Sequence, residues 1–206
     1  MKTLITKSLI DSWQYYLNCE EDDEGRAEKE WMQTLRREEK PPNEKAQKGI
    51  YFEDTVYRVC NGIKRNPHKQ WESGIQGVAD VIKGARLQYV AKRDLTLPDG
   101  RELLVYGRLD ALKAGVIYDV KFSTKSFGST AMQGKYFDNP QHPTYMYLIP
   151  EAYAFTYVIS DGRDVYTETY TRKQTRPFEE VALEFFGWLD TYPEMMTIYN
   201  EKWEAM

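Results

Sequence analysis

The run Val116-Ile117-Tyr118-Asp119-Val120-Lys121-Phe122 has little choice but to be a β-strand, because β-branched and aromatic residues fill it and its charges sit at alternate positions. Lys113-Ala114-Gly115 turns the chain just before it, and Gly107-Arg108-Leu109-Asp110-Ala111-Leu112 continues a strand begun at Leu103. With Ala114-Gly115 as a two-residue turn, Lys113 faces Val116, Leu112 faces Ile117 and Asp110 faces Asp119. Directly opposed side chains share a face with Cβ atoms ~4.5–5.5 Å apart, and Lys121, two residues on, joins them. Two carboxylates and an ammonium then converge, while Val116, Tyr118, Val120 and Phe122 take the other face. A three-residue loop with Gly115 left-handed would instead set Asp110 against Tyr118 and part the acids.

Helical and strand patterns flank this hairpin. Thr6 or Ser8 can cap a helix carrying Leu9, Trp13, Tyr16 and Leu17. The charged stretch from Cys19 to Lys48 holds an exposed helix around Ala27 to Glu38, ended by Pro41-Pro42-Asn43. An amphipathic helix starts near Ala46, carries Ile50, Phe52, Val56, Val59 and Cys60, and stops at Asn61-Gly62. Glu53 should edge its buried stripe, whereas Asp54, ~100° further round, should be more exposed. Gly74 to Gly84 reads equally as a short helix or a buried strand. Leu87–Ala91 and Leu95–Leu97 are strands, followed by a turn at Pro98-Asp99-Gly100. A polar, Gly-bearing stretch follows Ser126, then a helix from Gln141 to Ile149 with Pro143 in its first turn. Ala154–Ile159 and Val165–Tyr170 flank a hairpin signal at Ser160-Asp161-Gly162-Arg163, and a last helix runs from Pro177 through Val181, Phe185, Trp188 and Leu189. The order implies an α/β (α+β) fold with a central mixed sheet flanked by helices. Its 206 residues suit one domain, with a helical segment 1–48 at one end and a helix at about 177–206 at the other.

Composition narrows the chemistry. At 41% apolar residues the chain is not disordered throughout. A net charge of −4 argues against general binding of polyanions, yet Lys121, Lys125 and Lys135 share a stretch with few acids. The acidic block Glu20–Glu24 reads as a solvated face. Two cysteines, Cys19 and Cys60, cannot make a zinc or iron–sulfur site, and two histidines are too few for a histidine-based metal site, so His68 is given no role. The start of the chain lacks an apolar signal core and no run of ~18 apolar residues occurs, so a soluble, cytoplasmic protein with no membrane partner is expected.

Close like charges destabilise a sheet unless something compensates them. A cation is one solution, and oxygen-only donors favour Mg²⁺ or Mn²⁺. Lys121 pairing with one aspartate as a structural ion pair is the other. Gln141 and Tyr145 lie at i and i+4 on one helical face, either as a solvated Gln and a core Tyr or as site residues.

Gly107–Leu112, a short gap and Ile117-Tyr118-Asp119-Val120-Lys121-Phe122-Ser123-Thr124 resemble the PD-(D/E)XK nuclease signature in its RecB-like, phage-type exonuclease branch. Lys48-Gly49-Ile50-Tyr51-Phe52-Glu53-Asp54 is similar to that family's helix bearing a further acidic ligand. Gln141-His142-Pro143-Thr144-Tyr145 resembles its Gln-x-x-x-Tyr motif, and Thr6-Lys7-Ser8-Leu9 with Trp13 and Cys19 its opening helix. The four cysteines of its iron–sulfur members are absent, as is the proline before the first acid. The resemblance implies a restriction-endonuclease-like core and Mg²⁺-dependent hydrolysis of DNA, with Mn²⁺ as a substitute and neither zinc nor an iron–sulfur cluster. Glu53, Asp110, Asp119 and the Val120 carbonyl would hold metal, and Lys121 would position the attacking water. Gln141, Tyr145, Ser123 and Thr124 would touch DNA. Action at ends or single strands is expected, in a phage or mobile-element setting, in repair or recombination, with a recombination or replication protein as a further partner. The alternatives are a catalytically silent nuclease-fold module that binds DNA or protein, and a structural domain whose acids form salt bridges. Oligomeric state is left open.

Overall fold

The computed structural model describes residues 2–20, 23–63, 69–125, 127 and 134–205. His68, Glu21, Asp22, Ser126 and residues 128–133 of the polar stretch after it lie outside these. In chain order the elements are β1 (Thr3–Thr6), α1 (Lys7–Asn18), α2 (Glu24–Leu35), α3 (Glu44–Cys60), α4 (Glu72–Ile82), β2 (Arg86–Thr96), β3 (Glu102–Lys113), β4 (Val116–Phe122), α5 (Gln141–Leu148), β5 (Ala154–Ser160), β6 (Val165–Thr171), α6 (Phe178–Leu189) and α7 (Pro193–Lys202).

The β3–β4 hairpin has the two-residue turn. Ala114 and Gly115 both adopt positive φ, 47° and 76°, as a turn matching the right-handed strand twist requires. Lys113 pairs with Val116, Leu112 with Ile117 and Ala111 with Tyr118. The ladder stops there, so the expected pairing of Asp110 with Asp119 is not made through the backbone. The reason lies in β3, which shares one edge between two partners. Leu103–Tyr106 pair in parallel with Thr3–Thr6 of β1, and Ala111–Lys113 pair with β4. Residues 107–110 face the split between them.

The mixed sheet expected from the sequence has six strands, in the order β1-β3-β4-β5-β6 with β2 on the other edge of β3. β1–β3 and β4–β5 are parallel, and the remaining pairs are antiparallel. Helices cover both faces. Leu9, Trp13, Trp31, Leu35, Met146 and Phe185 pack with Val105, Leu109, Ile117 and Phe155 in one core, and Phe52, Val56, Ile75, Val78 and Ile82 pack with Ala111, Val120 and Val158 in the other. Gly74–Gly84 resolves as helix α4, whose Ile75, Val78, Ala79 and Ile82 keep a 3.6-residue period. Further expectations fail. The two strands expected at Leu87–Ala91 and Leu95–Leu97 are one, β2, ending at Thr96, and the helical segment 1–48 opens on a strand, β1. α2 is not an exposed helix, since Ala27, Trp31 and Leu35 are fully buried on one stripe. Ile50 lies outside the buried stripe of α3 and is 57% exposed. The C-terminal helix is two, broken at Thr191-Tyr192 before Pro193, which opens α7.

Gly107 seats α5 on the sheet. A Cβ there would lie 2.6 Å from Tyr145 Cε1 and 2.7 Å from Leu148 Cδ1. Gly107→Ala is therefore expected to cost about 1–3 kcal/mol, the range for overpacking a core. For a chain this long the melting temperature should fall by about 2–4 °C per kcal/mol. An unchanged melting temperature would show that α5 is not seated through this contact.

Candidate active site

Asp110 stands in the split between β1 and β4. Its Oδ2 accepts from the Val120 N–H at 2.9 Å, so the carboxylate occupies the place a strand partner would take. Across the split, the Tyr145 hydroxyl donates to the Arg108 carbonyl at 3.1 Å. The Val120 N–H, beyond the end of the β3–β4 ladder, is thus satisfied by a side chain, as buried backbone polar groups must be. On β2, opposite Asp110, Gln88 has φ +51° and makes no ladder pair, although pairing resumes on both sides of it. β3 is therefore released on both edges at Asp110. A non-glycine residue in the left-handed region is costly and persists where its surroundings hold it.

Asp119 lies on the same face of β4 as Lys121 and is 2% exposed. Its Oδ2 takes the Lys121 ammonium at 2.8 Å. Gln141, the first residue of α5, donates its amide to Asp119 Oδ1. The Gln141 side chain is also buried, and its Oε1 finds no hydrogen-bond partner among the described residues. Glu53 projects from α3, half-buried, while Asp54 beside it pairs with Arg58 at 2.7 Å with 47% of its side chain exposed. Phe52 stacks on Phe122 at 4.8 Å between centroids, and that contact ties the Glu53 helix to the end of β4.

The acids feel one another. Burial, then the charges of Asp119 and Glu53, push Asp110 up to about 8 against the Val120 N–H bond and Lys121. Burial, then Asp119, push Glu53 up to about 7, opposed by Lys121, Arg108 and Lys7. Burial works against the Lys121 charge, but Asp119 and then Asp110 outweigh it and hold its pKa above the ordinary lysine value. For an acid raised on folding, the folded state binds more protons than the unfolded one. That contribution to stability is complete below about pH 4 and is lost as pH rises through 7 to 8. In EDTA the melting temperature should fall between about pH 5 and pH 8.5, and Mg²⁺ should reduce the fall at the alkaline end. A melting temperature that rises across this window in EDTA would refute the coupling.

The structure brings Asp110, Asp119, Lys121 and Gln141 together, with Glu53 close enough for its charge to act on both aspartates. Tyr145 reaches the same split but is 7% exposed, so it supports β3 more than it presents a surface. Ser123 and Thr124 are not drawn in. The Ser123 hydroxyl accepts from the Lys125 N–H and donates to the Lys125 carbonyl, and Thr124 is exposed. The sequence reading missed several residues. Tyr57, one turn beyond Glu53, sets its hydroxyl against Asp110, and its pKa is raised by burial and then by that charge. Lys7 and Asp11 form an ion pair on the first turn of α1, beside Glu53 and Lys121. The i, i+4 spacing of Glu53 and Tyr57 was the one signal for the former, whereas Lys7 and Asp11 depend on β1 delivering α1 to the split.

Among the described residues, no three acidic, histidine or cysteine side chains are gathered closely enough to cage an ion. Mg²⁺ does not need such a cage, since it keeps several waters and takes one or two carboxylates plus substrate oxygens. The donors are all oxygen, three carboxyl groups repel one another, and a buried carbonyl of Gln141 lacks a partner. This set fits Mg²⁺ or Mn²⁺ and not a metal that seeks thiolate or imidazole.

No family model matches the chain, and no curated protein matches it. Solved structures do. The crystal structure of SSO0001 is similar over 92% of this chain and 78% of that one, at 12% identity and a TM-score of 0.45. LHK-Exo in complex with dAMP covers 96% of this chain and 92% of its own, at 13% identity and a TM-score of 0.48. Scheffersomyces stipitis Rai1 covers 93% and 62%, at 13% identity and a TM-score of 0.36. At such values these likenesses assign neither family nor chemistry, which rest on the split and its acids. No described helix is long and apolar enough to cross a membrane.

Proposed function

We propose that this protein is a Mg²⁺-dependent DNA nuclease of PD-(D/E)XK type, hydrolysing phosphodiester bonds at ends or on single strands. The observation that carries the proposal is the convergence of Asp110 and Asp119 with Lys121 at a break in the sheet, with Glu53 near enough to act on both aspartates by its charge. Unpaired, that cluster costs stability, and a structural role gives no reason to keep it. A bound Mg²⁺ would polarise the scissile phosphate and make a water more acidic. Asp110 and Asp119 hold the charge that attracts the cation, with Glu53 on the flank supplied by α3. Lys121, its side chain 30% exposed, is the one cation of the ion pair that can reach substrate; it orients the attacking water and offsets phosphate charge. Gln141 fixes the Asp119 carboxylate from α5, so the acid does not swing between partners.

One observation favours the second reading, a silent module. Asp119 already engages Lys121 and Gln141, which is how a purely structural acid would be satisfied. Incubating the purified protein with linear, nicked and circular DNA in Mg²⁺, Mn²⁺ or EDTA separates the two. The nuclease reading expects metal-dependent loss of linear DNA, and DNA left intact in both metals would reject it.

A further inference from the structure

Beyond the split, a second polar cavity opens on the far side of α5. It has a volume of about 210 Å³ and is walled by Arg93 of β2, Met146 and Tyr147 of α5, Arg172 and Arg176 after β6, and Phe178 and Glu179 at the start of α6. It is smaller than the ~300–1,000 Å³ of pockets that enclose a small molecule whole, and suits a group the size of a phosphate. Its charge is unusual for a chain with 32 acidic and 28 basic residues. Arg93 stacks over the Tyr147 ring at 4.5 Å and donates to the Tyr147 carbonyl at 2.8 Å. Arg172 donates to the carbonyls of Met146, Ile149 and Ala152 at 2.7–2.9 Å. Among the described residues neither has a carboxylate within ion-pair distance. Carbonyls satisfy hydrogen bonds without cancelling charge, so these guanidiniums are fixed in place and left positive. Arg176 adds a third, paired with Glu184 at 2.6 Å on the surface, a bond worth little against a phosphate. Capping the end of α5 accounts for Arg172 alone. It does not account for Arg93 and Arg176 opening on the same cavity, where Glu179 is the only acid of the wall.

We propose that this cavity is a phosphate subsite holding a backbone phosphate of a nucleic-acid strand engaged at the split. Arg172 spends Nε and Nη2 on carbonyls and Arg93 spends Nη1, so these fixed guanidiniums offer a phosphate diester their remaining N–H groups and their uncancelled charge. α5 spaces the two sites: Gln141 meets Asp119 and Tyr147 meets the cavity, six residues and so roughly 9 Å apart along the helix axis. Every residue of α5 is buried, so the strand would not cross the helix but follow the groove lined by Asn139, Pro140, Pro143 and Arg176 that adjoins the cavity, and be gripped away from the bond being cut.

The assignment of the phosphate to a strand rests on the nuclease reading, and the test keeps the two apart. Wild type, Arg93→Gln and Arg176→Gln are titrated with a fluorescein-labelled single-stranded oligonucleotide in Ca²⁺ at several salt concentrations. Melting temperatures with and without inorganic phosphate are recorded in parallel, and wild-type cleavage is assayed in Mg²⁺. Each variant should weaken oligonucleotide binding by ~10-fold, and the slope of log affinity against log salt should shrink by about 0.7 per arginine removed. A structural role alone would leave that slope in place. Unchanged affinity and slope in both variants, with wild type cleaving DNA, would overturn the subsite and spare the nuclease. Stabilisation of wild type by inorganic phosphate, with oligonucleotide binding indifferent to both variants, would make it a small-anion site and overturn the strand. Wild type that neither binds nor cleaves nucleic acid would sink the nuclease reading and the strand subsite with it. If Arg93→Gln does not fold, Arg176→Gln, at a surface ion pair, carries the test.

Discussion

Asp119→Asn is expected to lower Mg²⁺-dependent cleavage by ~10³-fold or more, because the Lewis-acid contribution it supports is worth several kcal/mol and each 1.36 kcal/mol is tenfold in rate. Asparagine keeps the shape and leaves an oxygen for the Gln141 amide, so the loss reads charge and not collapse. Stability should move little. Losing the charge relieves Asp110 and Glu53, whose pKa values Asp119 raises, while Lys121 loses its 2.8 Å partner. Asp110→Asn should cost a similar factor, and the double variant little more than either alone, since both serve one cation and losses within a unit do not add. Single-turnover rates, with melting temperatures beside them, decide this. Asp119→Asn within a few-fold of wild type would end the case for a metal-assisted site here.

Much of this was legible from residue order because strand patterning and turn chemistry are local. The turn at Ala114-Gly115 sets the register of β4 on β3, and the two-residue alternation of the β-branched run alone puts Asp119 and Lys121 on one face. What could not be read was the split. It arises because β1, a four-residue strand too short to signal itself, takes the first half of a β3 edge that β4 takes at the other end. That long-range pairing turns Asp110 from a strand partner of Asp119 into a side chain bound to the Val120 N–H. It also brings Lys7 and Asp11 to the acids. α2 was misjudged for a different reason: Ala27, Trp31 and Leu35 repeat every fourth residue, but among so many charges the stripe is thin. Gln141 was placed on the right face, yet its burial depends on Gly107 letting α5 come close.

Lys121 offers the sharper division between chemistry and architecture. If it orients the attacking water, Lys121→Met should lower the single-turnover rate by ~10²-fold or more, the usual reach of a positioned acid–base group. If it is only the partner of Asp119, the rate would also drop near neutral pH, for an indirect reason. Lys121 opposes the upward shifts of Glu53 and Asp110, which already stand at about 7 and about 8. Without the ammonium both acids would hold protons to higher pH, and fewer would be ionised to meet a cation. The two cases part on the alkaline side. A partner-only lysine predicts that the variant regains near wild-type rate as pH is raised and the acids ionise. A lysine that touches water or phosphate predicts a deficit persisting across the profile, with only the acidic limb moved upward. Methionine keeps most of the aliphatic stem but leaves the buried Asp119 carboxylate without its 2.8 Å partner, so the melting temperature should fall and is recorded beside the rate of the folded protein. A pH–rate profile of Lys121→Met that converges on wild type at high pH would therefore assign Lys121 to the architecture of the split and leave its chemistry to the three acids.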